Sequence, residues 1–384
     1  MLVPNNKQNT KMFQYAGTAR FVYNWAIAAE IESYNKKEGF INNCELRKCF
    51  TKLKQQEQYL WLNDISNNVA KQAIKDACNA YIKFFKNKSK FPKFKTKKKS
   101  RPSFYQDTDK IKFTETHVKL EGLASSKRKN RQKLNWVRLA ERGRIPLDAK
   151  YYNPRITYDG INWWLSVGVE VNKNTNIPNG KGIGIDVGIK DLAICSDSNK
   201  YKNINKTKTV KKLEKRKRRL QRSVSRKYTK NKKGESYCKT SNIIKSERKL
   251  LILNHRLTNI RHNHIHQMTS EIIKRNPSFI CIEDLNVQGM MKNKHLSKAI
   301  QQQCLHEVKR LITYKGEWNN TLIILAPRFY PSSKMCRCCK TIKKDLKLSD
   351  RIYKCSCGNV IDRDYQASLN LENYGYKIYT EFAS

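Results

Sequence analysis

Two short apolar runs in this chain each close on a carboxylate: GIGIDVG, which carries Asp186, and SFICIED, which carries Glu283. Apolar runs of this length bounded by turn residues read as buried strands. A buried strand rarely ends on an acid without reason, because a desolvated, unpaired carboxylate is costly. A bound metal ion compensates that charge and accounts for the placement. A third acid, Asp364, stands in the DRD sequence that opens the last helical segment. Three carboxylates from distant parts of one chain can hold two Mg²⁺ ions about 3.5–4 Å apart, and all-oxygen ligands suit Mg²⁺ or Mn²⁺ better than zinc. Each acid alone has a plainer reading, as a turn former or, for Asp364, as a helix N-cap. Their joint placement favours the metal site, with Asp186, Glu283 and Asp364 as its ligands. Asp191, Asp284 and Asp362 read as solvated or structural.

The segments around these acids set the fold. KGIGIDVGIKDLAICSDSNKY reads as strand, tight turn, strand. Two long basic helices follow, the first containing TVKKLEKRKRRLQRSVSRKY and the second ending in RLTNIRHNHIHQMTSEIIKR. Next come the SFICIED strand, one helix over SKAIQQQCLHEVKRLITYKGEWN, the strand TLIILA, and a short final helix in DYQASLNLENYG. That element order is the one of an RNase H-like α/β fold. The three histidines of RHNHIHQ (His262, His264, His266) would point to different faces of a helix, so they read as surface or core residues.

Five of the twelve cysteines fall in CRCCKTIKKDLKLSDRIYKCSCG. Two close groups separated by a loop predict one tetrahedral structural Zn²⁺. Cys336 and Cys339 are assigned as one pair and Cys355 and Cys357 as the other, with Cys338 open as a substitute for a neighbour. The remaining seven (Cys44, Cys49, Cys78, Cys195, Cys238, Cys281, Cys304) are scattered and read as free thiols.

Before residue 180 the pattern differs. Residues 10–88 place apolar residues at helical spacing, with Ser66 or Asn67 as the N-cap of the run SNNVAKQAIKDACNAYIKFFKNK. SKFPKFKTKKKSRPSFYQ then interleaves lysines with aromatics, as a nucleic-acid-facing linker would. From about 103 to 173, short alternating segments broken by Asp-Gly and Pro turns predict a small β-barrel. The chain carries 79 Lys+Arg against 32 Asp+Glu, a formal net charge of +47. A surface this basic implies salt-dependent binding to DNA or RNA, although charge alone names no activity. No apolar run reaches the length of a membrane span, and MLVPNNKQNTKMFQ has no signal-peptide core. The reading is therefore cytoplasmic, associated with the nucleoid, without a membrane partner.

With these motifs in hand, the chain resembles over nearly its whole length the transposon-encoded TnpB family, RNA-guided nucleases related to small type V CRISPR effectors. PNNKQ with RFVYNWA resembles its N-terminal signature, and FPKFKTKKKSRPSF its basic linker. GIDVGIKDLA, IEDLNV, and FYPSSKMC with CG and DRDYQASLNL resemble its three RuvC-type nuclease motifs and the zinc finger between them. The family's catalytic residues then fall on Asp186, Glu283 and Asp364, the second Asp of DRD being the match. Two departures are the C-x-C half of the finger and the start of the chain almost at PNNKQ. The resemblance implies a multidomain α+β architecture. Residues 1–9 would start a wedge β-barrel, 10–95 form a helical recognition region, and 96–178 form the rest of the barrel. Residues 179–330 and 361–384 would make the RuvC-like nuclease, with a zinc finger over 331–360. It also implies a guide RNA and double-stranded target DNA as partners, a flanking-motif requirement, and Mg²⁺-dependent cutting. Rivals with the same fold are a miniature type V CRISPR effector, a cleavage-inactive guide-directed repressor, and a transposase joining DNA ends. The intact acids count against the repressor, and the zinc finger ahead of the third acid counts against the transposase.

Overall fold

The computed structural model describes every residue except 125–132, 173, 174, 176, 235, 348, 349 and 384. The chain divides into two compact units, Met1–Val171 and Asn172–Ser384.

The first unit combines a helical cluster and a sheet. Helix α1 (Asn6–Asn35) starts from a capping box in which Asn5 and Gln8 each accept the other's backbone N–H. Helix α2 (Asn43–Leu53) repeats the device with Asn42 and Glu45, and α3 (Asn67–Phe85) is capped by Ser66. Apolar faces of the three helices meet around Val22, Ile27, Leu46 and Ile74. The seven-stranded sheet contains β1 (Leu2–Val3), β2 (Ser103–Tyr105), β3 (Lys112–Phe113), β4 (His117–Lys119), β5 (Trp136–Leu139), β6 (Tyr151–Tyr158) and β7 (Trp163–Val169). Its order is β2-β6-β7-β1-β5-β4-β3. Only two residues long, β1 still bridges the middle of the sheet, with Leu2 opposite both Leu139 and Trp163. The edge strands β2 and β3 are not hydrogen-bonded to each other among the described residues, so the sheet is open where the sequence predicted a closed barrel. Asp76 of α3 and Arg155 of β6 form a two-pronged ion pair at 2.7 and 2.8 Å that ties helix to sheet.

The second unit is built on a five-stranded sheet in the order β10-β9-β8-β13-β14. Strands β8 (Ile183–Val187), β9 (Asp191–Cys195) and β10 (Lys200–Lys202) form an antiparallel meander. The sequence pattern gave only the first two, because Lys-Tyr-Lys carries no apolar alternation. A hairpin of two long helices, α4 (Lys208–Lys230) and α5 (Ser241–Lys274), leads away from the meander; the two-residue strands β11 (Lys232–Lys233) and β12 (Ser236–Tyr237) sit at its turn. The chain returns through β13 (Phe279–Glu283), parallel to β8, and β14 (Leu322–Ala326), parallel to β13. Between them lie the short α6 (Val287–Met290), then α7 (Ser297–Gln303) and α8 (Leu305–Trp318).

The single helix expected over 297–319 is broken at Cys304, which takes the left-handed conformation with φ 52°. Just before it, the buried Gln303 side chain reaches back to donate to the carbonyls of Gly188 and Ile189, a tertiary anchor that no local pattern announces. The last helix is likewise longer than expected, running as α9 over Arg363–Ala383. It passes through Gly375, where a Cβ would come within 2.5 Å of Phe279 and 2.8 Å of Cys281. One sheet face packs on α5 and α8 through Ile185, Met268, Ile272, Ile282 and Val308. Leu371 of α9 packs with Phe279, Cys281 and Ile324 in a second cluster. No helix among the described residues is long and apolar enough to cross a membrane.

Candidate functional site

Strand geometry puts two of the three predicted acids side by side. Ile280, Cys281 and Ile282 of β13 stand opposite Ile183, Gly184 and Ile185 of β8. Carried one residue further, that register sets Glu283 beside Asp186, and parallel neighbours in register point to the same face. Asp364 arrives on the first turn of α9. The plainer reading of Asp364 as a helix cap does not hold, because Asp362 takes that role: its Oδ1 accepts from the backbone N–H groups of Asp364 and Tyr365, both at 3.0 Å. The carboxylate of Asp364 is thereby left for other work, with Arg351 Nη1 3.8 Å away.

All three acids line one cavity of about 820 Å³, together with Lys190, Lys206, Ser332, Arg351 and Arg363. Burial, and then the charges of Glu283 and Asp364, hold the carboxyl of Asp186 well above the usual carboxylate range; the Arg363 guanidinium acts the other way. Glu283 is also pushed up by burial, against the lowering effect of a hydrogen bond from Ser332. A buried carboxylate pushed up by two neighbouring acids, as Asp186 is, fits a divalent cation, which removes the repulsion and the desolvation cost together. The three acids do not converge on one point. Among the described residues, only cysteines bring three or more ligand atoms within 4.8 Å of one another.

That cluster is Cys336, Cys339, Cys355 and Cys357. Sγ–Sγ separations are 3.6 Å for Cys336–Cys357 and 3.5 Å for Cys339–Cys355. A zinc tetrahedron with Zn–S near 2.3 Å has edges of about 3.8 Å, so the four thiols fit such an ion. Cys338, left open by the sequence, is exposed and outside the set. Each half is a tight turn with a positive φ just after its second cysteine, 63° at Lys340 and 86° at Gly358. Burial alone would raise the Cys336 thiol, but the backbone N–H groups of Cys339 and Cys338 and the Asn359 amide bring it down to about 6. Thiolate character of that kind suits a metal ligand. The two-stranded hairpin β15 (Ile352–Lys354) and β16 (Val360–Asp362) carries the second cysteine pair directly into α9.

The remaining charged residues sort by their partners. Asp284 is paired with Lys309 at 2.6 Å and Arg328 at 3.4 Å, and Asp191, which also lines the cavity, is paired with Lys200 at 3.2 Å. His264 Nε2 lies 2.9 Å from the Lys202 carbonyl oxygen, and the three histidines form no metal cluster among the described residues. Helix α4 shows Lys211, Lys212, Lys215, Lys217, Arg218 and Arg222 along one short stretch, with Glu214 the sole acid in the helix. Its thin apolar seam, Val210 and Leu213, packs on Leu253 and Leu257 of α5. Ser332 and Asn370 are the site residues that sequence reasoning missed; neither carries a periodicity or a metal-ligand spacing.

Residues 166–294 match the family described as "Probable transposase", 306–371 the "Cas12f1-like, TNB domain", and 1–39 a "Helix-turn-helix domain". Within the last of these, the structure has one continuous helix, α1. A Streptomyces pristinaespiralis protein described as "Putative RNA-guided DNA endonuclease" is 27% identical over 96% of this chain and 86% of its own length. An Escherichia coli (strain K12) protein, "Putative RNA-guided DNA endonuclease InsQ", is 26% identical over 92% of this chain and 85% of its own. The fold matches that of Cas12f1 in its complex with sgRNA and target DNA, at a TM-score of 0.59 and 16% identity, over 94% of this chain and 82% of that one. The chain is thus similar over most of its length to curated proteins described as RNA-guided DNA endonucleases, and it shares the fold of Cas12f1.

Proposed function

We propose that the protein is an RNA-guided, Mg²⁺-dependent DNA endonuclease encoded by a transposable element, with Asp186, Glu283 and Asp364 as its catalytic acids. The observation that carries this reading is the meeting of the three acids, from β8, β13 and α9, in one cavity of the sheet unit. Two Mg²⁺ ions held there would activate a water and stabilise the leaving oxygen of a phosphodiester. The chain's own contribution is placement. Parallel strands fix the spacing of Asp186 and Glu283, the Asp362 cap fixes the first turn that presents Asp364, and Lys190 and Lys206 on the cavity wall attract the phosphate backbone. We assign the 331–360 segment to a structural Zn²⁺ held by Cys336, Cys339, Cys355 and Cys357.

The relatives named above supply the substrate class, an RNA guide and a DNA target. Base pairing would then provide sequence specificity, while the protein reads backbone and shape. Within the first unit, the seven-stranded sheet would serve as the wedge and α1–α3 as the recognition region, next to a short flanking motif on the target. The net charge of +47 suits the chain to gripping the phosphate backbones of both nucleic acids.

The test is co-expression with the flanking genomic sequence, sequencing of the bound RNA, and plasmid cleavage with Mg²⁺. A discrete RNA and guide-dependent cutting are expected, with Asp186→Ala, Glu283→Ala and Asp364→Ala each abolishing cutting while RNA binding stays intact. Loss of RNA binding in all three variants would make the acids structural, and no discrete RNA in the wild type would remove the guide from the reading.

A further inference from the structure

Ser332 sits four residues ahead of the first cysteine of the zinc cluster and lines the carboxylate cavity. Its hydroxyl donates to Oε1 of Glu283. The serine is only 4% exposed, so this hydrogen bond does not compete with bulk water. Its backbone is fixed from the far side by Asn370 of α9, whose Nδ2 donates to the carbonyls of Ser332 at 2.8 Å and Met335 at 2.7 Å. Asn370 is fully buried, and its own carbonyl accepts from the Tyr330 hydroxyl at 3.2 Å. A chain of contacts therefore runs from the helix that bears Asp364, through Asn370 and Ser332, to the carboxylate of Glu283.

We propose that Ser332 is a positioning residue for Glu283, fixing the rotamer in which that acid meets a divalent cation. A glutamate at a strand end has three side-chain torsions to settle, and β13 settles none of them. With Oε1 occupied by Ser332, Oε2 is left for the cation, and the carboxylate plane is held before the ion arrives. Asn370 makes the arrangement rigid, since Ser332 cannot follow a swinging glutamate while its own carbonyl is tied to α9. Partners of this kind behind a metal ligand typically change metal affinity or activity by 10–100-fold when removed. This inference rests on the metal-site reading of the three acids.

The experiment compares wild type, Ser332→Ala and Ser332→Thr as RNA-loaded proteins. Mn²⁺ binding is followed by electron paramagnetic resonance, and cutting is measured across a Mg²⁺ titration, with melting temperature and zinc content as controls. Ser332→Ala is expected to weaken Mn²⁺ binding and raise the half-activating Mg²⁺ concentration by roughly 10–100-fold, with unchanged melting and zinc. Ser332→Thr, which keeps the donor, is expected to restore both. Ser332→Ala that binds Mn²⁺ and responds to Mg²⁺ like wild type overturns the positioning role alone. So does Ser332→Thr that melts like wild type yet binds Mn²⁺ as poorly as the alanine variant. A wild type that neither binds Mn²⁺ nor cuts overturns the metal-site reading beneath it.

Discussion

Replacing Gly184 with alanine should disable the carboxylate site without touching any acid in it. A Cβ built at Gly184 would lie 2.0 Å from the Ser368 carbonyl oxygen and 2.3 Å from the Glu372 backbone nitrogen. Both obstacles are backbone of α9, so no side chain can turn aside. Restoring ordinary contact, at about 3.4 Å, requires α9 to retreat from β8 by about 1.4 Å. Ser368 lies one helical turn from Asp364, and a rigid helix carries that displacement to the acid. Misplacement by 1 Å costs a catalytic site on the order of 100-fold, so cutting by G184A should fall at least that far. Overpacking in a close-packed layer costs about 1–3 kcal/mol, which for a unit of this size lowers the melting temperature by roughly 2–12 °C. Plasmid cleavage, calorimetry and zinc content on the guide-loaded protein test this together. G184A that cuts at the wild-type rate would refute the reasoning, because it would show that α9 can retreat without carrying Asp364 out of place. Restored cutting in a glycine variant at 368 is not expected, since the clash is with backbone.

Two further outcomes concern the cysteine cluster and the ion pair of the first unit. The double variant Cys336→Ser/Cys355→Ser should lose about one zinc per chain, while Cys338→Ser should keep it; metal content by mass spectrometry checks both, and zinc loss from Cys338→Ser would overturn the ligand set. Burial alone would raise the carboxyl of Asp76, but Arg155 and Gln72 bring it below the usual carboxylate range. Because its folded-state pKa is the lower one, its stabilisation is present above about pH 4 and lost as pH falls through the folded value. Asp76→Asn should therefore destabilise the first unit at pH 7 by about 1–3 kcal/mol and flatten the acid limb of its melting profile, and an unchanged acid limb would contradict the ion pair's role.

How much could be read from the residues alone depended on whether the signal was local. Asp186 and Glu283 announced themselves because each closes an apolar run, and the parallel β8–β13 register makes them neighbours. Asp364 could be placed at a helix start but not separated from a capping role by sequence; only the hydrogen bonds of Asp362 do that. Cys338 was indistinguishable from its neighbours until the sulfur positions selected four of five thiols. The break at Cys304 and the length of α9 through Gly375 are set by contacts with residues far along the chain, at Gly188, Ile189, Phe279 and Cys281. Barrel closure is a property of two edge strands that no periodicity relates. Ser332 is a loop serine among others, and its meaning lies in Glu283 and Asn370, 49 and 38 residues away.

The route of the chain through the sheet unit also bears on how the protein is made. Asp186 and Glu283 are synthesised well before α9, and α9 brings both the third acid and the Asn370 that ties down Ser332. While residues 363–383 are still inside the ribosome, the nascent chain already carries the basic α4–α5 hairpin and can meet nucleic acid, but it has no complete set of ligands. On the reading proposed above, the carboxylate cavity is completed only once α9 docks against β8 and β13, so assembly of the site follows that docking step.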